Sequence, residues 1–478
     1  MMPLHEYQQR GVDMLTSDLG GAGLGLDPGM GKTRIVEEAI VRLKAQYSGL
    51  QVLLIAPIQP MYGTWRQEAE KWGLDLTFSI VHGTPKQRTV ALLKRADVYL
   101  INPEGVKWLF TNKELDLPDW KVLVVDESTK FKKSDTARFK AIKKHLKNFY
   151  WRWIATGTIA PNGLEDLFGQ VYLTDEGAAL GKYITHFRKK YFVDVGPPTF
   201  PKWVPLPGAA DEVTDLISRR ILLLKAEDYL EMPEMITVER EVTLPDNARE
   251  HYDKLEKDFY VELDGADIMA PNAAALGNKL RQVSNGFSYD VDSVGIHIHD
   301  EKLVALQDLL EELNGHPVLI MYEFRHDLHK IQKALGKDAV CITGMNPYDL
   351  TETLNKFNNG EIKYLLVHPQ SVHGMNIQKS CHHIIWFSII WNLEHYIQAN
   401  TRIYRQGQSS QTVMVYHIVG KDTKDQHVGR ALAQKGSVQA SIENAIRSKS
   451  DVEFFAAEAE RERKDRAHSL SQDYCQQG

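Results

Sequence analysis

A glycine-rich turn stands directly before an amphipathic helical pattern in residues 23–40, GLGLDPGMGKTRIVEEAI. Gly29 and Gly31 would let the backbone wrap closely around an anion, and the first N–H groups of the helix would point at that anion. The Lys32 ammonium would then reach the β- and γ-phosphates of a nucleotide, and the Thr33 hydroxyl would ligate Mg²⁺. The segment therefore predicts a site for ATP and Mg²⁺, and the alternative is a glycine-rich turn with a chance Lys-Thr pair.

Two adjacent carboxylates end an apolar run in residues 124–133, VVDESTKFKK. Asp126, at the carboxyl end of the expected strand, is placed to bind Mg²⁺ through water, and Glu127 is placed to polarise the attacking water. Ser128 offers a second interpretation, because its hydroxyl could simply cap the next helix. The phosphate-binding loop earlier in the chain favours the catalytic interpretation, since a nucleotide-hydrolysing site needs both parts.

A third group of polar side chains stands in QANTRIYR, residues 398–405. The spacing of Gln398, Arg402 and Arg405 predicts that they share one face of a helix. Two guanidinium groups could neutralise the charge that develops on the γ-phosphate, an effect worth about 10³–10⁵ in rate in other phosphoryl-transfer enzymes. The alternative is a basic helix face that makes ordinary ion pairs.

Short apolar runs of β type alternate with helical patterns along most of the chain. This alternation predicts parallel sheets flanked by helices, so the expected fold class is α/β. The pattern breaks in residues 196–236, and long polar helices are expected from there to about residue 295. Two α/β lobes in tandem, joined by a partly helical connector, are therefore predicted. The expected strands are 52–57, 78–83, 98–102, 122–127 and 151–158 in the first lobe, and 318–323, 339–344, 364–369, 383–388 and 413–420 in the second.

The order of these motifs resembles that of the Swi/Snf-family ATPases of helicase superfamily two, which are double-stranded DNA translocases. LHEYQQRGVDML, residues 4–15, resembles the family's opening L-x-x-Y-Q box, which implies that Gln8 reads the adenine edge. WIATGTIAPNGLEDLFGQVYLT, residues 153–174, is similar to the family's T-G-T-P segment. The residues that would couple nucleotide state to lobe movement are Thr156, Gly157 and Thr158.

Later segments extend the resemblance to about residue 420. ISRRILLLKAEDYLEMPEM, residues 217–235, resembles an R-R-x-K segment that leads to an L-P box. NKLRQVSNGF, residues 278–287, resembles the family's L-R-Q-x-C-N-H-P segment, with Ser284 for Cys and Gly286 for His. This match is the most discriminating one, because ordinary strand-separating helicases lack the segment. WNLEHYIQANTRIYRQGQ, residues 391–408, is very close to the family's final Q-A-x-D-R-x-x-R box.

The resemblance implies two RecA-like parallel-sheet lobes in tandem that share one ATP site. Closure of the lobes on ATP and their opening on product release would move the protein along DNA phosphates, largely without regard to base sequence. Such a motor could remodel branched DNA or displace bound proteins. The predicted domains are an N-terminal RecA-like ATP-binding lobe (1–205), a connector with a helical insertion (206–295), a C-terminal RecA-like helicase lobe (296–450) and a charged helical tail (451–478). Candidate contacts to the DNA backbone are His82, Lys130, Lys133, Lys202 and Asn376.

Composition and charge agree with a globular motor. The chain is 43% hydrophobic and 25% charged, which is usual for globular proteins. Its net charge of −6 argues against wholesale coating of DNA, but residues 130–147 hold eight Lys or Arg and one acid, which suits selective contact with phosphates. No apolar run approaches the roughly 20 residues of a membrane-spanning helix, and the N-terminus lacks a signal-peptide pattern. We expect a cytoplasmic monomer without membrane contact, which could bind a protein partner through its tail.

Two other functions fit parts of the pattern. A strand-separating DNA or RNA helicase would share the ATP site but would need a wedge, and we find no long aromatic-tipped hairpin that indicates one. An ATP-regulated DNA clamp with little hydrolysis would not need Glu127, Arg402 or Arg405. His297 and His299 share one face of an expected strand, but the sequence around them supplies no further ligands for a metal.

Overall fold

The computed structural model describes residues 3–197, 201–263, 266–270, 272–372 and 375–447. The chain divides into two compact units: residues up to Tyr229 together with those from Ser437 onward, and Leu230–Gly436. The tail predicted for residues 451–478 lies outside the described residues.

The first unit is built on a seven-stranded parallel sheet. The strands of this unit, in chain order, are β1 Gly21–Leu26, β2 Val52–Ile55, β3 Phe78–Ile80, β4 Val98–Ile101, β5 Val122–Asp126, β6 Trp151–Thr156, β7 Phe192–Asp194, β8 Trp203–Pro205 and β9 Ile221–Leu224. Seven of them pair in the order β3-β4-β2-β5-β6-β1-β9, and every pairing in this sheet is parallel. The remaining two, β7 and β8, form an antiparallel hairpin.

Helices supply the apolar surfaces against which this sheet packs. They are α1 Glu6–Leu15, α2 Lys32–Gln46, α3 Ile58–Tyr62, α4 Thr64–Trp72, α5 Pro85–Leu93, α6 Gly105–Thr111, α7 Ala137–Lys143, α8 Asp166–Asp175, α9 Ile184–Tyr191 and α10 Ala209–Ile217. Every residue of β1, β2, β4 and β9 is buried, which is the pattern of strands covered on both faces.

Strand β1 was not predicted, because its sequence, GAGLGL, contains three glycines and glycine is depleted in strands. The structure explains the glycines by close packing. A Cβ atom at Gly21 would lie 1.9 Å from the Thr174 carbonyl oxygen, and one at Gly23 would lie 2.6 Å from the Ile221 side chain. The strand that leads into the phosphate loop, which lies between β6 and β9, therefore needs residues without side chains.

The second unit is built on a six-stranded parallel sheet. The strands of this unit, in chain order, are β10 Glu234–Val242, β11 Tyr260–Leu263, β12 Ala266–Met269, β13 Phe287–Tyr289, β14 Gly295–His297, β15 Val318–Met321, β16 Ala339–Cys341, β17 Tyr364–Val367, β18 His383–Trp386 and β19 Thr412–Gly420. The sheet order is β10-β19-β18-β15-β17-β16, and two antiparallel hairpins, β11–β12 and β13–β14, stand apart from it.

Six helices belong to the second unit, and a seventh is divided between the units. They are α11 Asp246–Asp258, α12 Ala273–Ser284, α13 Glu301–Glu312, α14 Arg325–Leu335, α15 Pro347–Asn358 and α16 Leu393–Asn400. Residues 424–447 are helical and form α17, whose residues 424–436 belong to the second unit and 437–447 to the first.

The predicted α/β class is confirmed, and all ten expected strands are present: nine are shorter than predicted, and β19 begins one residue earlier. The predicted connector, residues 206–295, is divided between the two units, because β9 extends the first sheet and β10 extends the second. The long polar helices expected in this stretch are α11 and α12. Neither β9 nor β10 was predicted as a strand.

A buried polar network ties the L-R-Q-x-x-N segment into the second unit. The ammonium of Lys302, which is fully buried, lies 2.6 Å from Asp425 Oδ2 and donates to Asn285 Oδ1 at 2.8 Å. The Ser284 hydroxyl donates to the same Asp425 oxygen at 2.6 Å. Burial raises the pKa of Asp425, but the Lys302 charge and the hydrogen bonds from Lys302, Ser284 and the Gly420 N–H together outweigh burial and hold this pKa below its usual value.

Candidate nucleotide site

Three neighbouring strands carry the predicted ATP-site segments to one edge of the first sheet. Strand β6 lies between β1 and β5, with Thr156 opposite Gly25 and Ala155 opposite Asp126. Because the carboxyl ends of parallel strands meet at the same edge, the loops that follow these strands are neighbours. The sheet order therefore gathers the phosphate loop, the acidic pair and the T-G-T segment.

The phosphate loop has the shape that anion binding requires. Gly29 and Gly31 have φ values of 93° and 79°, in the left-handed region that favours glycine. Lys32 begins α2, so the helix N-terminus opens directly onto the loop. The Lys32 ammonium donates to the Leu26 carbonyl at 2.6 Å and the Asp27 carbonyl at 3.3 Å, and Thr33 stands next to it in the first turn.

Helix α1 holds this loop through Gln8. The Gln8 Nε2 atom donates to the Met30 carbonyl at 3.3 Å, and the Tyr7 hydroxyl donates to the same carbonyl at 3.2 Å. A Cβ atom at Gly31 would lie 2.5 Å from Gln8 Nε2, so only glycine permits this contact. The structure thus brings Gln8 to the phosphate loop, and its reading of adenine stays a prediction.

The acidic pair lies where β5 ends. The pKa of Asp126 is raised to about 7, first by burial and second by the neighbouring Glu127 charge, while the Lys32 ammonium acts in the opposite direction. The electrostatic influence of Lys32 on Asp126 means that the phosphate loop and the acidic pair are close enough to form one site. A desolvated carboxylate beside a phosphate loop fits the oxygen donors that Mg²⁺ prefers.

Glu127 adopts a left-handed backbone conformation, with φ 51° and ψ 56°. Its N–H donates to Asp126 Oδ1 at 3.0 Å. For a non-glycine residue this conformation costs about 1–3 kcal/mol, and such strain clusters at active sites. The strained backbone of Glu127 agrees with the catalytic role predicted for it.

The Ser128 hydroxyl donates to Gln170 Oε1 at 2.7 Å and does not cap the one-turn 3₁₀ helix that starts there, Ser128–Phe131. The Gln170 Nε2 atom in turn donates to the Ile159 carbonyl at 2.7 Å and the Asp166 carbonyl at 2.8 Å. Gln170 is fully buried in α8. It therefore links the acidic pair to the loop that follows β6.

The predicted coupling residues form a compact turn against the phosphate loop. The Thr156 hydroxyl donates to the Thr158 carbonyl at 2.9 Å and accepts from the Thr158 N–H at 3.1 Å. A Cβ atom at Gly157 would lie 3.5 Å from the ring carbons of Pro28, in the phosphate loop. Because the two loops pack this closely, a movement of one loop would displace the other.

The segment that holds the predicted arginine fingers lies in the second unit. The prediction that Gln398, Arg402 and Arg405 share one face of a helix is wrong. Helix α16 ends at Asn400, so Arg402 and Arg405 lie in the turns that follow. The Gln398 carbonyl accepts from the Thr401 hydroxyl and from Arg402 Nε, both at 3.1 Å. These side-chain donors compete with the helical backbone pattern and explain the early end of the helix.

Arg402 and Arg405 are both half-buried, and the Arg405 guanidinium donates to Asn376 Oδ1 at 3.0 Å. Asn376 was predicted to contact DNA, so the structure joins two residues with different expected roles. Gln398 is buried, and no hydrogen-bond partner for its Oε1 atom is found among the described residues.

Comparison with known proteins decides the family. The SNF2-related domain matches residues 7–285, more than half of the chain, and the Helicase conserved C-terminal domain matches residues 301–407. The chain belongs to the SNF2-related family. This membership confirms the resemblance found in the sequence and identifies the protein as an ATP hydrolase of the helicase type.

Individual relatives cover most of this SNF2-related chain. Protein p41 of Acyrthosiphon pisum secondary endosymbiont phage 1 is 34% identical over 438 residues, which is 88% of this chain and 94% of that protein. An uncharacterized ATP-dependent helicase of Mycoplasma genitalium is 24% identical over 468 residues, 95% of this chain but 43% of that protein. The structure of the Sulfolobus solfataricus SWI2/SNF2 ATPase core in complex with dsDNA is similar at 20% identity and a TM-score of 0.43, covering 94% of this chain and 95% of the other.

The other predicted positions of this SNF2-related chain differ in exposure. Lys133 and Lys202 are exposed, whereas Lys130 and His82 are half-buried, and His82 Nδ1 lies 2.9 Å from the Tyr62 hydroxyl. Their contacts with DNA stay predictions. Among the residues that the structure describes, no helix has the length and apolar character needed to cross a membrane, and no cluster of three or more His, Cys, Asp or Glu side chains is suited to a metal ion.

Two residues near the site were not predicted. Gln170 joins the acidic pair to the T-G-T loop, but its place in the apolar sequence of α8 gave no signal. Lys225 lies beside Asp27 of the phosphate loop, and its only signal was its place in the R-R-x-K segment.

Proposed function

We propose that this SNF2-related ATPase translocates on double-stranded DNA and uses hydrolysis to remodel branched DNA or to displace bound proteins. The observation that carries the proposal is the L-R-Q-x-x-N segment. Its last residues, Ser284 and Asn285, are part of the buried network in the second unit, and the SNF2-related match extends through residue 285. By resemblance, this segment separates duplex translocases from strand-separating helicases.

The first unit supplies the groups that bind ATP and activate water. Lys32 would bind the phosphates, Thr33 and Asp126 would hold Mg²⁺, and Glu127 would orient and deprotonate the attacking water. Bound Mg²⁺ would neutralise charge on the β- and γ-phosphates. These roles are supported by the common sheet edge and by the effect of the Lys32 charge on Asp126.

The second unit supplies the arginines. Arg402 and Arg405 follow α16, and both residues are half-buried. They would neutralise charge on the γ-phosphate when the two units close on ATP, which makes hydrolysis depend on closure.

DNA would be held through its phosphates. The lysines of residues 130–147 that remain exposed form a basic surface on the first unit, and they are Lys133, Lys140, Lys144 and Lys147. Phosphate contacts position a protein without reading bases, so we expect movement that is independent of sequence.

ATP turnover on several nucleic acids tests the proposal. We expect blunt duplex DNA to stimulate the ATPase more than single-stranded DNA or RNA, and the enzyme to displace a triplex-forming strand without unwinding a tailed duplex. Unwinding of the tailed duplex would instead identify a strand-separating helicase. ATP binding without turnover on any of these nucleic acids would indicate a clamp.

A further inference from the structure

Lys225 lies between two acidic side chains that come from opposite ends of the chain. It directly follows β9, which pairs with β1, so it stands at the sheet edge where the phosphate loop begins. Its ammonium lies 3.8 Å from Asp27 Oδ1 and donates to Glu443 Oε2. Asp27 opens the phosphate loop, and Glu443 belongs to the part of α17 that packs in the first unit.

Asp27 connects this cluster to the phosphate-binding lysine. Its Oδ2 atom accepts from the Ala226 N–H at 2.9 Å, and its backbone carbonyl accepts from the Lys32 ammonium at 3.3 Å. A carboxylate at the start of a phosphate loop would repel a triphosphate through Coulomb forces, unless a nearby cation neutralises it. Lys225 is the cation that the structure places there.

The cluster is shielded from water, so its charges act strongly. The Lys225 side chain is 22% exposed and that of Glu443 is 4% exposed. Burial opposes the charge on Lys225, but the carboxylates of Glu443 and Asp27 outweigh burial and raise the pKa of its ammonium. The second Glu443 oxygen accepts from Gln439 Nε2 at 2.8 Å, which keeps this carboxylate in place.

Apolar and charged contacts hold the end of α17 against this site. Ile442 and Ile446 are buried in the hydrophobic core of the first unit. Arg447 forms an ion pair with Asp228 at 2.6 Å, one turn away from Glu443. The docking of this segment therefore has supports that do not involve the phosphate loop.

We propose that Lys225 is a positioning residue for ATP binding, which neutralises Asp27 and so holds the phosphate loop in the form that accepts the nucleotide. The inference rests on the proposed function, because that function assigns ATP to the loop of residues 27–33. Glu443 supplies the second anion that holds Lys225 in place.

Steady-state ATPase kinetics of the full chain test the inference. We expect Lys225→Met to raise the KM for ATP about fivefold or more while kcat changes less than about twofold, the pattern of a binding defect. Lys225→Arg keeps the charge and should retain a KM near that of the wild type. Adding Asp27→Asn to Lys225→Met should return the KM towards the wild-type value, because no carboxylate is left to neutralise.

Arg447→Met is the matched control, since it breaks an ion pair of the same segment without touching the phosphate loop. We expect it to leave the KM unchanged; an increase equal to that of Lys225→Met would show that docking of α17 matters and would overturn the inference. An unchanged KM in Lys225→Met, or an increase that Asp27→Asn does not relieve, would also overturn it.

Thermal unfolding shows whether each variant is folded. If Lys225→Met does not fold, the single variant Asp27→Asn tests the inference. A KM for ATP at or below the wild-type value supports the inference, and a higher KM overturns it. Binding of a fluorescent ATP analogue to Lys32→Ala separates this question from the proposed function. Normal binding by Lys32→Ala would show that ATP does not bind at this loop, and would overturn the proposed function. Lost binding by Lys32→Ala, together with an unchanged KM in Lys225→Met, would refute the inference alone.

Discussion

At the scale of single residues, the proposed roles of Lys32 and Glu127 belong to two separable steps. Lys32→Ala should lose most of its nucleotide affinity, because the ammonium proposed to bind the phosphates is gone. Glu127→Gln should still bind ATP but turn it over at least about 100-fold more slowly, because an amide cannot accept the proton of the attacking water. Equilibrium binding of a fluorescent ATP analogue and ATPase assays would measure the two effects.

An exposed acid near the same strand provides the control for both variants. Asp119 precedes β5 and is largely exposed, so Asp119→Asn should leave binding and turnover as they are. Wild-type turnover by Glu127→Gln would refute its assignment as the general base.

The pKa of Asp126 predicts a pH-dependent requirement for Mg²⁺. Burial raises this pKa to about 7, so below that pH a proton occupies the carboxyl that the metal needs. The Mg²⁺ concentration for half-maximal ATPase should therefore rise about fivefold between about pH 7 and about pH 6, and less than about twofold between about pH 8 and about pH 7. A half-saturation value that is the same at about pH 6, 7 and 8 would contradict the assignment of Asp126 as the metal-binding carboxylate.

At the scale of elements, Gln170 ties the 3₁₀ turn of the acidic pair to the loop after β6. Ser128→Ala should destabilise the first unit by about 1–3 kcal/mol, because it leaves the buried Gln170 Oε1 atom without its donor. The double variant Ser128→Ala with Gln170→Met removes both partners. Its effect on the free energy of unfolding should differ from the sum of the two single effects by a coupling energy of about 0.5–3 kcal/mol. Urea unfolding of the single and double variants measures that coupling. Strictly additive effects would mean that the hydrogen bond contributes nothing.

The Lys302–Asp425 ion pair joins α13 to the start of α17 inside the second unit. Lys302→Met should cost about 3–5 kcal/mol of stability, because Asp425 would be left as an uncompensated buried charge. Lys356→Met is the control, since Lys356 forms an exposed pair with Glu352 on α15, and such pairs contribute about 0–1 kcal/mol. Similar urea midpoints for the two variants would mean that the buried pair does not stabilise the unit more than the exposed pair does.

At the scale of the whole molecule, hydrolysis should need groups from both units. Arg402→Ala should lower kcat by about 10³-fold or more, if the guanidinium acts on the γ-phosphate as arginine fingers do. The affinity for ATP should change much less, since Lys32 and the phosphate loop belong to the other unit. Single-turnover kinetics and nucleotide binding would separate these effects, and an equal loss in both would argue for a structural role of Arg402.

The sequence predicted the strands well where apolar residues form an unbroken run, as in 122–127 and 318–323. It missed β1, because glycines needed for close packing obscure the strand pattern. It also missed β10, a nine-residue strand in which eight residues are not buried, so that no buried face could be recognised from its sequence. The helical spacing of Gln398, Arg402 and Arg405 was misleading, because side chains near Asn400 end the helix early.

The sequence by itself determined the family and predicted the residues of the ATP chemistry, because Lys32, Asp126 and Glu127 stand in short contiguous motifs. Local backbone rules are enough to place such motifs at the end of a strand or the start of a helix. Only the tertiary structure decided that Ser128 donates to Gln170 and that Lys225 stands between Asp27 and Glu443. These partners are separated by 42 to 218 residues, and sheet order and helix docking, which depend on the whole chain, bring them together.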